Sequence, residues 1–219
     1  MNRLAIFDCD GTLVDSQASI CLAMEHCFIG RRLDPPDREA IRRIVGLSLV
    51  EAVARLLPQA DDALHRVMAE DYKRAYFTLR TEGKIEDEPL YEGIAEAIET
   101  LDANGWLLGV ATGKSDRGLL RVLEAHGLRH RFVTLQTADR HPSKPHPSMI
   151  ETAMAEAGAA PETTVMIGDT SFDMAMAANA GAHGLGVAWG YHTSHELIAA
   201  GAARVADHAH ALPGHLESL

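Results

Sequence analysis

The fold class this sequence predicts is α/β: a doubly wound parallel sheet with a helical domain inserted after its first strand. Three observations predict it. From about residue 93 to residue 206, short apolar runs alternate with helical stretches, the pattern of parallel βαβ units. Before that, one apolar run, Leu4 to Asp8, is followed by four helical stretches with no convincing strand between them. Finally, polar residues suited to chemistry stand directly after several apolar runs, and open α/β sheets bind ligands beyond the carboxyl ends of their strands.

Taken in order, the elements follow from pattern and punctuation. Leu4 to Asp8 reads as a buried strand. Helices are expected from about Ser16 to Phe28, from Asp37 to Ile44 after the breaker Pro35-Pro36, from Ser48 to Leu57 with Pro58 as a stop, and from Ala60 to Thr81. Gly83 to Pro89 reads as a linker. The helix Gly93 to Asn104 then precedes the strand Leu107 to Ala111, and Asp116 to His126 precedes Phe132 to Leu135. Pro147 to Ala157 precedes Val165 to Ile167, and Asp173 to Ala180 precedes His183 to Val187. A short helix, Glu196 to Ala200, comes before a last strand, Arg204 to Ala206. The expected division is a core of residues 1–15 and 83–219 and a helical domain of residues 16–82.

Composition narrows the function classes. At 47% hydrophobic residues over 219, the chain has ample apolar surface for one core and an insertion, which excludes global disorder. The 31 acidic residues outnumber the 20 basic ones, a net charge of −11 that argues against nucleic acid as a partner. It does not exclude a small anion, because a metal ion and a few placed cations override the global field locally. No 18-residue uncharged apolar run is present, so no membrane partner is expected, and Asp8 interrupts the apolar stretch a secretory leader would need. Cys9, Cys21 and Cys27 cannot all pair; reduced thiols in a cytoplasmic protein are the simplest expectation.

Four motifs carry the chemistry. In Asp8-Cys9-Asp10-Gly11-Thr12, residues i and i+2 of an extended chain share a face, so two carboxylates point toward one crevice and call for a cation or a shared proton. Ala111-Thr112-Gly113-Lys114 offers a hydroxyl and small-residue N–H groups to a phosphoryl oxygen, or simply caps the next helix. Ser143-Lys144-Pro145-His146-Pro147 restricts the backbone around one lysine, which is either a charge-neutralising group or a solvated side chain in a turn. Gly168-Asp169-Thr170-Ser171-Phe172-Asp173 follows an apolar run. Its carboxylates suit a hard, oxygen-ligated cation, while Asp173 also suits the first turn of a helix. All four fall at the same end of the expected sheet, a coincidence that independent structural roles do not explain.

With these motifs in this order, the sequence resembles the haloacid dehalogenase superfamily, in its phosphoglycolate phosphatase-like branch with a helical cap. The carrying segments are DCDGTLVDS at 8–16, ATGK at 111–114, KPHP at 144–147 and GDTSFDMAMAANAG at 168–181, with GVAWGYH at 186–192 in support. The resemblance implies a Rossmann-like core and a Mg²⁺-dependent phosphatase acting on a small phosphorylated metabolite, 2-phosphoglycolate first among them, as a monomer or homodimer. It implies Asp8 as nucleophile and Asp10 as acid/base, with the Asp10 backbone carbonyl and the carboxylates of Asp8 and Asp169 on the metal. Asp173 would support the metal or orient Lys144, and Lys144 would steady nucleophile and phosphate. Thr112 and Gly113 would hold phosphoryl oxygens. Gly46, in Gly46-Leu47-Ser48, resembles a cap loop that contacts substrate, and Arg42 or Arg43 would meet an anionic part of it unless both lie on a solvated helix face.

A phosphomutase, a pyrophosphatase and a non-catalytic phosphate-binding protein are the alternatives. Gln17-Ala18-Ser19 stands where mutases of the superfamily carry a His/Arg cap signature. A haloacid dehalogenase is disfavoured because those enzymes generally lack the second aspartate. Ser148 replaces an acid common after KPxP and can still cap a helix.

Overall fold

The computed structural model describes residues 1–219. Strand β1 (Asn2–Phe7) leads into four helices, α1 (Gln17–Gly30), α2 (Arg38–Arg42), α3 (Leu49–Leu56) and α4 (Asp62–Thr81). Alternation follows: α5 (Ile94–Ala103), β2 (Trp106–Thr112), α6 (Asp116–Ala125), β3 (Phe132–Thr137), α7 (Ser148–Ala157), β4 (Ala159–Gly168), α8 (Ser171–Asn179), β5 (His183–Val187), α9 (Ser194–Ala199), β6 (Arg204–Ala206) and α10 (Leu212–Leu216). The six strands form one parallel sheet in the order β3-β2-β1-β4-β5-β6. The chain winds outward from β1 in one direction and from β4 in the other. The carboxyl ends of β1 and β4 therefore flank the topological switch point, where this architecture leaves a crevice.

β1 shows why the sheet is buried on both faces. Ala5 and Phe7 pack on one side among Ile94, Ile98 and Leu101 of α5 and Leu119 and Leu123 of α6. Leu4 and Ile6 point the other way, onto Met149, Ile150 and Ala153 of α7 and Met176 of α8. A strand covered on both faces reads as a continuous apolar run, as this one does.

The helices α1–α4 have a separate core. Cys21, Met24, Cys27 and Phe28 of α1 meet Ile41, Val53 and Met68 from the other three helices. Two chain crossings join this block to the sheet, and they run side by side. Asp15 N–H donates to the Pro89 carbonyl at 2.9 Å, and Tyr91 N–H donates to the Leu13 carbonyl at 3.0 Å. Val14 bridges Leu90 in antiparallel fashion between them. All three cysteines are buried and unpaired.

Several boundaries differ from the sequence reading, each for a local reason. Helix α8 starts two residues before Asp173 because Thr170 is its N-cap, with Asp173 closing a capping box. Helix α9 starts at Ser194 for the same reason, with Thr193 and Glu196 as the pair. α2 is shorter than the expected Asp37 to Ile44, since residues after Arg42 turn toward the sheet. β4 begins at Ala159, where Pro161 and Glu162 interrupt the apolar pattern and the pairing to β1 is irregular between Asn2 and Leu4. α10, absent from the sequence reading, is one short turn with Pro213 at its start. It is held by Leu212 and Leu216 packing into the main core.

Ile98 is fully buried in that core. Ile98→Ala is expected to lower unfolding free energy by about 2–5 kcal/mol, read as a shift of the urea midpoint with the native far-UV spectrum retained.

Candidate active site

The site is built where strands stop. Asp8 directly follows β1, and its N–H still donates to the Ile167 carbonyl at 2.9 Å, so the ladder to β4 carries the aspartate to its place. Gly11 then turns the chain at φ +85°. A Cβ there would lie 2.3 Å from Asp169 Oδ2 and 2.5 Å from the Tyr191 ring, so this close approach requires glycine. Asp8, Asp10, Thr112, Lys144, Asp169 and Asp173 are all buried at this one end of the sheet.

Lys144 is the central cation. Its Nζ lies 2.9 Å from Asp8 Oδ1 and 2.6 Å from Asp173 Oδ1. Asp173 Oδ2 accepts from the backbone N–H and the hydroxyl of Thr170, at 3.0 and 2.7 Å. Asp173 thus both caps α8 and holds Lys144. Asp169 Oδ1 accepts from the Thr12 hydroxyl at 2.8 Å, and Oδ2 from Tyr191 N–H at 2.9 Å.

One lysine does not neutralise this group. Carboxylate oxygens of Asp8, Asp169 and Asp173 lie within 4.8 Å of one another, and buried Asp8 Oδ2 has no hydrogen-bond partner. Burial pushes the Asp8 carboxyl up to about 7 from 3.8; Lys144 opposes this, while Asp173 and Asp10 add to it. Asp169 is also held well above the usual carboxylate range, by burial first and then by Asp173 and Asp8. Burial acts against the Lys144 charge as well, but Asp173 and Asp8 more than offset it and hold the ammonium above the ordinary lysine range. An oxygen-only donor set with an orphaned buried oxygen and uncompensated negative charge fits a hard divalent cation.

Asp10 takes a different partner from Asp8. Its Oδ1 lies 2.7 Å from Lys114 Nζ, which is also 3.2 Å from Glu88 Oε2. Tyr76 of α4 donates its hydroxyl to Glu88 Oε1 at 2.6 Å. Burial works against the Lys114 charge, but Asp10 and Glu88 outweigh it and hold the ammonium above the usual range. Lys114 stood in the motif read from sequence without a role of its own; Glu88 lay in a linker and Tyr76 in a helix, where nothing in the pattern marked them.

The block reaches the site through the turn between α2 and α3. Gly46 sits at φ +96°, and a Cβ on it would be 3.3 Å from Thr170 Oγ1 and 3.9 Å from Asp8 Oδ2. A Cβ on Gly113 would be 2.4 Å from the Leu47 carbonyl and 2.7 Å from the Gly46 carbonyl. Ser48 N–H donates to Ser143 Oγ at 2.8 Å. Gly46 and Gly113 are therefore in contact beside Thr112 and Asp8. Arg43, expected to meet an anionic part of a substrate, instead lies 2.7 Å from Glu196 in a half-exposed ion pair between block and sheet layer. A cavity of about 540 Å³ opens between α4 and α6, with Asp10 and Lys114 at its inner end and Tyr72, Tyr76 and Phe77 on one wall.

The chain is similar to known proteins over most of its length. Residues 5–187 match the family model described as haloacid dehalogenase-like hydrolase. A Dickeya dadantii protein named "Probable phosphatase IndB" is 37% identical over 206 residues, covering 91% of this chain and 87% of its own. A phosphoglycolate phosphatase of Agrobacterium fabrum is 31% identical, covering 87% and 82% respectively. Among solved structures, a hydrolase from Pseudomonas syringae superposes with a TM-score of 0.86 at 27% identity, covering 100% of this chain and 99% of that one.

The raised Asp8 carboxyl gives a pH-dependent expectation. A group raised on folding contributes its full stability below the unfolded value of 3.8, and that contribution is lost as pH rises through about 7. A divalent cation offsets the loss. Thermal melts with Mg²⁺ and with chelator are expected to lie close together near about pH 5 and to separate above about pH 7, the cation sample melting higher. Equal separation at both pH values would contradict the assignment.

Proposed function

We propose, for a chain that belongs to the haloacid dehalogenase-like hydrolase family and is a phosphatase within it, that the reaction is hydrolysis of a small phosphate monoester through a phosphorylated Asp8. The observation that carries this reading is the unpartnered Asp8 Oδ2. It is buried beside Lys144, beneath Gly46 and at the end of the first strand.

In this reading the Asp8 carboxylate attacks phosphorus, the bond from phosphorus to the ester oxygen breaks, and Asp10 gives its proton to the departing oxygen. An alcohol leaves. Water then attacks the phosphorus of the aspartyl phosphate and gives its proton to Asp10. The bond to Asp8 breaks, and inorganic phosphate is released with the Asp8 carboxylate and the protonated Asp10 restored. Lys144 orients Asp8 and offsets charge on the transferred group, while the Thr112 hydroxyl and the Gly113 N–H hold its oxygens. Asp8, Asp169 and the Asp10 backbone carbonyl would hold a divalent cation, Mg²⁺ in this reading, with Asp173 in support. When bound, it supplies charge compensation for the phosphoryl oxygens.

We assign residues 16–82 as the cap and residues 1–15 with 83–219 as the core. Seated as described, the Gly46 turn covers Asp8 and limits the entry of water. Residues at the strand ends grip the phosphoryl group common to all such substrates, so the leaving group is read by the cavity between α4 and α6. The phosphoglycolate phosphatase relative makes 2-phosphoglycolate the first compound to try.

The test is phosphate release from 2-phosphoglycolate, hexose phosphates, nucleoside monophosphates and pyrophosphate, with and without Mg²⁺. Turnover of at least one monoester is expected only with Mg²⁺, and Asp8→Asn is expected to lower it by on the order of 10⁴-fold or more. Undiminished turnover by Asp8→Asn would refute the covalent route.

A further inference from the structure

Asp10 and Asp8 stand two residues apart, but they are held by different lysines. Asp8 is anchored by Lys144 from within the core. Asp10 is anchored by Lys114, and Lys114 is itself held from a second side by Glu88. Glu88 immediately precedes Pro89, whose carbonyl takes part in the side-by-side chain crossing between block and sheet. It is buried, and three contacts fix it. Tyr76 of α4 donates to one carboxylate oxygen, Lys114 meets the other, and His126 Nε2 donates to its backbone carbonyl at 2.7 Å. A continuous polar chain therefore runs from a helix of the block, through the crossing, to the carboxylate of Asp10.

The placement constrains the chemistry. Lys114 and Asp10 are both largely buried, with side chains 13% and 9% exposed, so the direction of the Asp10 carboxylate is set by its partner rather than by water. A lysine stem is flexible and does not fix its own ammonium. Glu88 supplies the second point of attachment, and that point lies directly beside the crossing. We propose that Lys114 and Glu88 are positioning residues for Asp10, and that the Tyr76–Glu88 hydrogen bond makes the placement of the Asp10 carboxyl depend on how α4 is seated. This inference rests on the phosphatase reading and goes beyond it: seating of the block does more than cover the site, since it also aims the acid that protonates the leaving oxygen.

The experiment compares two substrates that differ in their need for that acid. An alkyl phosphate needs a proton on its departing oxygen, whereas p-nitrophenyl phosphate releases a stabilised phenolate without one. The proteins are wild type, Lys114→Met, Glu88→Gln, Tyr76→Phe and the Lys114→Met/Glu88→Gln double variant, each checked by thermal melting. The alkyl substrate is the best compound of the phosphate-release panel. Lys114→Met and Glu88→Gln are expected to slow alcohol release from it in the first turnover by on the order of 10²-fold, with p-nitrophenolate release in the first turnover within about threefold of wild type. The later attack by water also uses Asp10 and is common to both substrates, so the comparison is made on the first turnover. Tyr76→Phe leaves every charge in place and is expected to show the same selectivity at about tenfold. The double variant is expected to lose no more than Lys114→Met alone, because Glu88 acts through Lys114. Equal first-turnover losses on both substrates, no loss on either, or additive losses in the double variant would overturn the proposal. If wild type turns over neither substrate, the phosphatase reading fails and this inference falls with it, an outcome distinct from an active wild type with unselective variants.

Discussion

A single buried lysine shared between two aspartates is the contact on which the rest of this site depends. Lys144 reaches Asp8 from one side and Asp173 from the other, and all three are removed from solvent. Taking such charges out of water is costly, and the arrangement holds only because each partner is fixed by something else. Asp8 is fixed by the β1–β4 ladder, and Asp173 by the first turn of α8 through Thr170. The same carboxylate that starts a helix thus sets the position of the lysine. Local helix chemistry and active-site electrostatics are here one set of hydrogen bonds.

The acidic surplus left over suits a cation, and the same crowding explains the glycines. Where carboxylates must lie this close, approaching backbone has no room for a side chain. Gly11 and Gly190 each come within contact of Asp169, while Gly113 and Gly46 let the two facing loops touch. Each is set by what lies opposite it as much as by its own turn.

Much of this was legible in the chain. The core residues Asp8, Thr112 and Asp169 stand at the ends of apolar runs, and a parallel sheet brings the ends of such runs to one edge whatever their separation in sequence. The helical block was legible because a stretch of helix without strands cannot complete a sheet. Three things were not. Helix starts at Ser171 and Ser194 were read too late, since apolar periodicity begins inside a helix whereas the Thr170–Asp173 and Thr193–Glu196 caps begin it. The pairing of Arg43 with Glu196 is not legible either, since Glu196 lies 153 positions away and no periodic signal links them. Glu88 and Tyr76 meet Lys114 only because the crossing folds back on itself, a relation between distant segments that no local pattern carries.

That crossing has a consequence for how this chain can change. The helical block leaves the sheet at residues 13–15 and returns at 89–91, and those two segments are hydrogen-bonded neighbours. A detour whose ends already touch adds only slowly growing closure entropy as it lengthens, so its size is nearly free of thermodynamic constraint from the sheet. Because it also carries its own apolar core, it can be lengthened, shortened or exchanged without repacking the layers around β1. The architecture therefore separates two rates of change: the strand-end cluster is held by contacts reaching across the whole sheet, while the helical wall facing it can diverge as a self-contained cassette.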